Sequence, residues 1–391
     1  MNWQKKMGVA LLVLGLIVAG CGGEKKSDGK GDGPIKIGAN LEMTGGNASF
    51  GLSATNGAKL AIKEFNAKGG LNGRPIELIV ADNKSEVAES AAAMQKLVSQ
   101  DKVVAVIAPI ASSSVIAAAQ VSQDAKILAI SPTASNPKVT VDEKGKVRPY
   151  LFRASFIDPF QGSVMAKFSQ QSLNAKTAAI YIDNSSDYAK GLAKYFEEEF
   201  VKNGGTIVIR EAYLQKDTDF KATLTKIKNS QPDVIFVPGY YQEVGLIIKQ
   251  AREIGLNVPF LGGDGWDSVK LPEIAGATAL NDNYFCALYS PDDQDPLVRN
   301  FVTAYEKEYG QTPDSFAALS YDAMNMLIAA MVKNGNADPQ KLRDELEKTK
   351  ELPGVSGKIT LNETHDAVKG AVVVGFKDGK QVFKEKIAAP K

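Results

Sequence analysis

Residues 103–135 read VVAVIAPIASSSVIAAAQVSQDAKILAISPTAS, and this stretch decides the fold class. Its opening run, VVAVIA, is apolar throughout, which is typical of a parallel strand covered on both faces. The serines at residues 112–114 then open a segment that is predicted to be helical through about Asp124, and residues 127–130 predict a second short strand. A strand, a helix and a strand in this order predict a right-handed crossover within a parallel sheet.

The same alternation continues on both sides of this stretch. Upstream, strands are predicted at residues 35–38 and 76–80, with an amphipathic helix between them. Downstream, the pattern starts again at residues 177–182 and continues through residues 259–262, and the last predicted strands are at residues 358–361, 371–376 and 382–386. Because two similar series follow one another, the sequence predicts an α/β fold with two similar, doubly wound parallel-sheet lobes.

The composition of the 391-residue chain argues against several classes of function. Its 46 basic and 45 acidic residues leave a net charge of +1, which gives no electrostatic footprint for nucleic acid. A single histidine, His365, disfavours a Ser-His-Asp site or a multi-histidine metal site, and its polar surroundings predict a solvated side chain. Cys286 lies in an apolar run and is predicted to be a buried, inert thiol. We expect neither a cofactor nor a metal ion.

The N-terminus has the pattern of an export signal. Lys5 and Lys6 precede an uncharged run at residues 7–20, which is too short for a membrane span and typical of a signal-peptide core. The small residues before Cys21 resemble a bacterial lipobox, which implies a signal peptide of residues 1–20 and lipidation of Cys21; the alternative is an ordinary signal peptide. Residues 21–34 are rich in glycine, lysine and aspartate, which predicts a flexible tether.

Polar, small or aromatic residues follow six of the predicted strands. Ligands of open parallel sheets bind at the carboxyl ends of strands, near helix N-termini. Because these strand ends come from both series, we expect them to converge on one cleft. The segments are residues 40–51, 109–114, 131–136, 183–188, 238–241 and 263–266.

The chain resembles the periplasmic leucine/isoleucine/valine-binding proteins from about residue 35 to its C-terminus. The matching motifs fall in the family order at residues 57–74, 108–114, 131–135, 187–191, 239–240 and 262–265. The resemblance implies a type I periplasmic binding protein-like fold, whose lobes are joined by three hinge crossovers. These should lie near residues 152–154, 284–287 and 353–358. The N-terminal lobe would comprise residues 35–153 plus 286–353, and the C-terminal lobe residues 154–285 plus 354–391.

The resemblance also implies roles in binding an amino-acid zwitterion. Ser112, at a helix N-terminus, and Ser135 would bind the carboxylate through hydroxyl and amide groups. Asp264 would supply a negative charge to the ammonium, with the Thr133 carbonyl and the Tyr240 hydroxyl as further contacts. The alternatives are an ordinary helix cap for Ser112 and a surface turn for Asp264.

Three aromatic residues are candidates for the walls of the cleft. Phe50 matches a family position that packs on the aliphatic side chain of the ligand, and Tyr188 matches a tyrosine of the opposite lobe. Trp266 follows the Gly-Asp-Gly motif directly. For each of them the alternative is packing in the core.

The predicted function is that of an extracytoplasmic, lipid-anchored receptor that is not an enzyme. It would capture a branched-chain or similar apolar amino acid by hinge closure and deliver it, as a monomer, to an ABC permease in the cytoplasmic membrane. An alternative is a receptor for amides, urea, short peptides or aromatic acids on the same scaffold. A remote alternative is an extracytoplasmic hydrolase, although the sequence contains no Gly-x-Ser-x-Gly motif.

Overall fold

The computed structural model describes residues 33–390. The predicted signal peptide, the lipidation site at Cys21 and the tether up to residue 32 lie outside the described residues. Within the described part, two β-sheets organise the chain, one of five strands and one of seven. The predicted α/β fold class with parallel-sheet lobes is confirmed.

The five-stranded sheet is parallel throughout and has the strand order β2-β1-β3-β4-β5. Its central strands are buried apolar runs, as expected for a sheet with helices on both faces. Its elements are β1 (Ile35–Leu41), α1 (Ala48–Ala67), β2 (Ile76–Asp82), α2 (Val87–Ser99), β3 (Ala105–Ile107), α3 (Ser112–Ala125), β4 (Leu128–Ser131) and β5 (Leu151–Arg153).

The seven-stranded sheet has the order β12-β11-β10-β9-β8-β6-β7 and is parallel from β7 through β10. The last two strands are antiparallel to their neighbours. Its elements are α4 (Asp158–Gln171), β6 (Thr177–Asp183), α5 (Asp187–Lys202), β7 (Thr206–Tyr213), α6 (Lys221–Asn229), β8 (Val234–Phe236), α7 (Tyr241–Glu253), β9 (Phe260–Gly262), α8 (Lys270–Ala275), β10 (Tyr284–Ala287), β11 (Ala371–Lys377) and β12 (Lys380–Ile387).

The antiparallel pair at the C-terminus is a hairpin. Asp378 and Gly379 connect β11 to β12, and both have positive φ angles, of 51° and 76°. An Asp-Gly pair of this kind favours a tight two-residue turn. The sequence therefore predicted strands correctly in this region, and the short turn determines that they pair antiparallel.

Three further helices complete the described chain: α9 (Pro296–Tyr309), α10 (Ser315–Asn334) and α11 (Pro339–Leu346). By length and composition α10 would pass for a membrane span, but 78% of its most apolar window is buried inside the protein. It packs closely on α1, where a Cβ added to Gly57 would overlap the carbonyl oxygen of Ala317. Its apolar character is therefore that of a core helix.

Helix α4 was not predicted from the sequence. It buries Asp158, Gln161 and Ser169 together with apolar residues, so its buried side carries no clean apolar stripe. Residues 358–361 were predicted to form a strand, but they make only isolated bridges, Leu352 with Ile359 and Leu361 with Ala367. The predicted lobe boundaries and hinge crossovers stay a prediction.

The prediction that His365 is solvated was wrong. Its side chain is buried and its ring stacks on Phe152, with 4.0 Å between ring centroids and 4° between the planes. Its Nδ1 atom lies 2.9 Å from the Leu151 carbonyl, and Nε2 lies 3.2 Å from Glu347 Oε1. The polar turn therefore packs against β5 instead of facing solvent. By contrast, the prediction of a buried thiol at Cys286 is confirmed, and burial raises its pKa.

Candidate ligand-binding site

A small cavity lies where the carboxyl ends of strands from the two sheets meet. Its volume is about 10 Å³, which is room for about one water molecule. Six of the eight predicted ligand-binding residues line it. The lining residues are Ile110, Ser112, Thr133, Ala134, Ser135, Tyr188, Tyr240, Asp264, Gly265 and Phe316.

On one side of the cavity lies the N-terminus of α3, which begins at Ser112. The residue that caps this helix is Ala111, which has no side-chain cap hydrogen bond, so Ser112 is not an ordinary N-cap. Instead, the Ser112 hydroxyl accepts a hydrogen bond of 3.2 Å from the backbone N–H of Asn136. The helix dipole and the amides of the first turn make this end a favourable place for an anion.

A buried carboxylate supports the loop that leads into α3. Glu42 accepts hydrogen bonds of 3.1 Å each from the backbone N–H groups of Ile110 and Ala111. Burial raises the pKa of Glu42 to about 7, although these hydrogen bonds oppose the shift. The loop is therefore held from behind by a group that does not line the cavity.

The segment after β4 is fixed on both of its sides. The Ala134 N–H donates to the Ser131 hydroxyl at 3.0 Å, and the Ala134 carbonyl accepts from Arg153 Nη1 at 2.8 Å. Arg153 is fully buried and also forms an ion pair of 2.6 Å with Asp366. These contacts hold the backbone around Thr133 and Ser135 in one conformation at the cavity wall.

The opposite side of the cavity carries a buried acidic group, Asp264. Burial raises its pKa to about 6, against hydrogen bonds from Tyr188 and Gln161. Within residues 33–390, its Oδ1 atom has no hydrogen-bond partner. A buried carboxylate oxygen without a partner is costly, which makes it an acceptor available to a ligand.

Two tyrosines form an aromatic wall beside Asp264. The rings of Tyr188 and Tyr240 stack, with 5.3 Å between centroids and 12° between the planes. The Tyr188 hydroxyl accepts a hydrogen bond of 3.1 Å from the Gly265 N–H. A side chain at Gly263 would collide with that hydroxyl, so a glycine is required at this close approach.

The other two predicted aromatic residues do not line the cavity. Phe50 lies behind the wall, in contact with Phe316 and with the edge of Tyr240. Trp266 is fully buried, and its indole N–H donates to the Val237 carbonyl at 3.1 Å. For these two residues the structure therefore shows packing behind the site, which was the alternative for each.

Reasoning from the sequence missed four of the lining residues and one residue behind them. Ile110, Ala134 and Gly265 lie within the quoted motifs but contribute small or apolar surface. Phe316 is the second residue of α10, far along the chain from every motif. Gln161 lies on the unpredicted helix α4.

Hydrogen bonds across the cleft close the site off. Asn136 Nδ2 donates to the Asp187 carbonyl at 2.7 Å, and the Asp187 N–H donates to the Ser113 hydroxyl at 3.0 Å. The hydroxyls of Ser49 and Ser268 lie 2.9 Å apart. Each contact joins a segment next to the five-stranded sheet to one next to the seven-stranded sheet, so the described conformation encloses the cavity.

The chain matches the family model described as periplasmic binding protein over residues 34–381. It belongs to the periplasmic binding protein family. A curated relative from Pseudomonas aeruginosa, named amino acid binding protein, is 35% identical over 335 residues, which are 85% of this chain and 87% of the relative.

Two solved structures in this family are also similar. The leucine-binding protein LivK from Thermotoga maritima is 35% identical with a TM-score of 0.85, covering 90% of this chain and 99% of that protein. The branched-chain amino acid transporter substrate-binding protein LivJ from Streptococcus pneumoniae, in complex with isoleucine, is 38% identical, also with a TM-score of 0.85. There the match covers 91% of this chain and 100% of that protein.

In this periplasmic binding protein, the two sides of the cavity differ in charge. One side offers hydroxyls and a helix N-terminus, and the other offers an anionic carboxylate with a free oxygen. Ile110, Ala134 and Phe316 add apolar surface to the lining. Within the described residues, no group of three or more His, Cys, Asp or Glu side chains could hold a metal ion.

Proposed function

We propose that this protein is the solute-binding component of an ABC importer and that it captures a branched-chain amino acid, with leucine as the model ligand. The observation that carries the proposal is the free Oδ1 atom of Asp264 in a small cavity whose other side carries Ser112 and Ser135. The relatives are named as proteins that bind leucine or branched-chain amino acids, and these names support the same ligand class.

Each group of the ligand has a complementary partner in this proposal. The carboxylate binds at the start of α3 and to the hydroxyls of Ser112 and Ser135. The ammonium binds to Asp264, with the Thr133 carbonyl and the Tyr240 hydroxyl beside it. The branched side chain packs on apolar lining residues, which include Ile110, Ala134 and Phe316.

Capture proceeds by closure of the two sides over the ligand. Because the site is enclosed by contacts such as Asn136 with Asp187, ligand entry requires these hydrogen bonds to open. The ligand touches both sides of the cleft and therefore favours the closed state over the open one. The closed state is then the form that the permease receives.

The proposal includes anchoring at the membrane. Lipidation of Cys21 would hold the protein, acting as a monomer, at the extracytoplasmic face of the membrane. The full-length chain expressed in bacteria should enter the detergent phase on Triton X-114 partitioning, and Cys21→Ser should move it to the aqueous phase. Equal partitioning of both proteins would contradict the anchor.

Calorimetric titration tests the ligand. The chain from residue 22 onward is unfolded, dialysed and refolded to remove retained ligand, and is then titrated with L-leucine. We expect one-site binding with a Kd of about 1 μM or lower, and a loss of at least tenfold in affinity for Ser112→Ala. The matched control is Ser99→Ala, a half-buried serine at the C-terminal end of α2 that does not line the cavity, which should bind normally. Folded protein that gives no heat with any amino acid would overturn the assignment.

A further inference from the structure

The side chain of Gln161 connects the two sides of the cavity. It is fully buried on α4 and is not one of the residues that line the cavity. Its Oε1 atom accepts a hydrogen bond of 3.2 Å from the Asp264 N–H. Its Nε2 atom donates to the Ser135 hydroxyl, also at 3.2 Å. One amide group therefore contacts both the residue placed for the ammonium and a residue placed for the carboxylate.

The orientation of this amide is determined by its partners. A third hydrogen bond runs from Gln161 Nε2 to Asp158 Oδ1 at 3.2 Å. Nε2 faces two oxygens and Oε1 faces a backbone N–H, so a flipped amide would set its NH₂ group against the Asp264 N–H and its oxygen against the Asp158 carboxyl oxygen.

The helix that carries Gln161 is itself docked on Ser135. The Asp158 N–H, in the first turn of α4, donates to the Ser135 carbonyl at 2.9 Å. On the other side, a Cβ at Gly263 would come within 2.8 Å of Gln161 Oε1, so the backbone of the motif lies directly against the amide. Gln161 thus sits in a space bounded by fixed backbone on both sides.

This inference rests on the proposed function. We propose that Gln161 is a positioning residue that sets the separation between Ser135 and Asp264, and that this separation selects ligands in which one carbon atom joins the carboxylate to the ammonium. An α-amino acid satisfies both sides at once. A β-amino acid has one more carbon between its charged groups and cannot satisfy both at this spacing.

The test compares L-leucine with β-leucine, its isomer in which the amino group is on the β-carbon. Calorimetry of the wild-type chain from residue 22 onward should show L-leucine binding at least one hundredfold more tightly. Gln161→Met keeps a similar side-chain length and removes every hydrogen bond of the amide. We expect it to lower the ratio of the two affinities at least tenfold, because the two sides are no longer held at one distance.

A matched control lies on the same helix. Gln170 also uses its Nε2 atom in a hydrogen bond, of 3.0 Å to the Phe200 carbonyl, but it does not line the cavity. Gln170→Met should therefore leave the affinity ratio unchanged. If Gln161→Met does not fold, as judged by circular dichroism, Gln161→Asn provides the same comparison with a shortened amide.

The outcomes separate this inference from the proposed function. If the wild-type protein binds neither isomer nor any other α-amino acid, the proposed function fails and this inference fails with it. If the wild-type protein binds L-leucine but the Gln161 variants weaken both isomers by the same factor, the proposed function stands. Gln161 then has only a structural role, and this inference is overturned.

Discussion

The ring of Phe316 stacks on the ring of Phe50, with 4.0 Å between their centroids and 20° between their planes. Phe50 belongs to α1, and Phe316 is near the start of α10, where Asp314 caps the helix through the Ala317 N–H. Because only Phe316 lines the cavity, the packing of these two helices determines how much room the ligand side chain has.

Removal of the Phe316 ring should change ligand preference. Phe316→Ala enlarges the apolar part of the cavity, so the affinity for phenylalanine relative to leucine should rise at least tenfold. The truncation should also cost about 3–5 kcal/mol of unfolding free energy, as is usual for a buried phenylalanine. Calorimetry with both amino acids checks the preference. Phe383→Ala, which removes an exposed ring on β12, is the control, and an equal ratio in both variants would contradict this prediction.

The close packing of α1 on α10 also predicts a stability effect. Gly57→Ala should destabilise the protein by about 1–3 kcal/mol, since the new Cβ would overlap the carbonyl oxygen of Ala317. Intrinsic helix propensity alone predicts the opposite sign, a gain of about 1 kcal/mol. Urea unfolding distinguishes the two. Lys59→Ala, at an exposed position of the same helix, should be close to neutral.

Much of the fold could be predicted because its strands are local apolar signals. Runs such as VVAVIA identify a buried parallel strand without reference to the rest of the chain. Helix α4 gave no such signal, because it buries polar side chains such as Gln161, whose hydrogen-bond partners are distant in sequence. The same reason explains His365, whose burial depends on stacking with Phe152.

The site residues that belong to a sequence motif could be predicted. Ser112, Ser135 and Asp264 follow strand ends, and the parallel topology brings such ends together. Phe316 and Gln161 reach the site only through tertiary packing, so nothing in their local sequence distinguishes them. Trp266 adjoins a motif residue, but it points into the core, because only Gly265 lies between it and Asp264 on a tight turn.

Glu42 should make stability depend on pH. Burial raises its pKa from the usual 4.5 to about 7 in the folded protein, so the folded state binds more protons between these values and loses stability as pH rises. Relative to Glu42→Gln, the wild type should lose about 2 kcal/mol between pH 5.5 and pH 8. Urea unfolding of both proteins measures the difference. A constant difference across this range would show that Glu42 does not titrate there.

Removal of the Asp264 carboxylate should weaken amino-acid binding strongly. Asp264→Ala is expected to cost about 2–5 kcal/mol of binding free energy for leucine, the usual effect of removing one member of a buried charge pair. Calorimetry at pH 7.5 measures it. Asp124→Ala, at an exposed position of α3, serves as the control. Unchanged affinity in Asp264→Ala would remove this residue from the site.

Leucine affinity should fall as the solution becomes acidic. Burial raises the pKa of Asp264 to about 6, and an adjacent ammonium lowers it again in the complex, so binding releases a proton below that pH. The Kd should therefore rise by up to about tenfold per pH unit below pH 6 and be nearly constant above pH 7.

Asp158 also faces this region, and its pKa is raised to about 7, so a variant is needed to assign the released proton to one of the two carboxyl groups. Asp264→Asn should bind weakly with a flattened pH profile; a profile as steep as that of the wild type would assign the proton to Asp158.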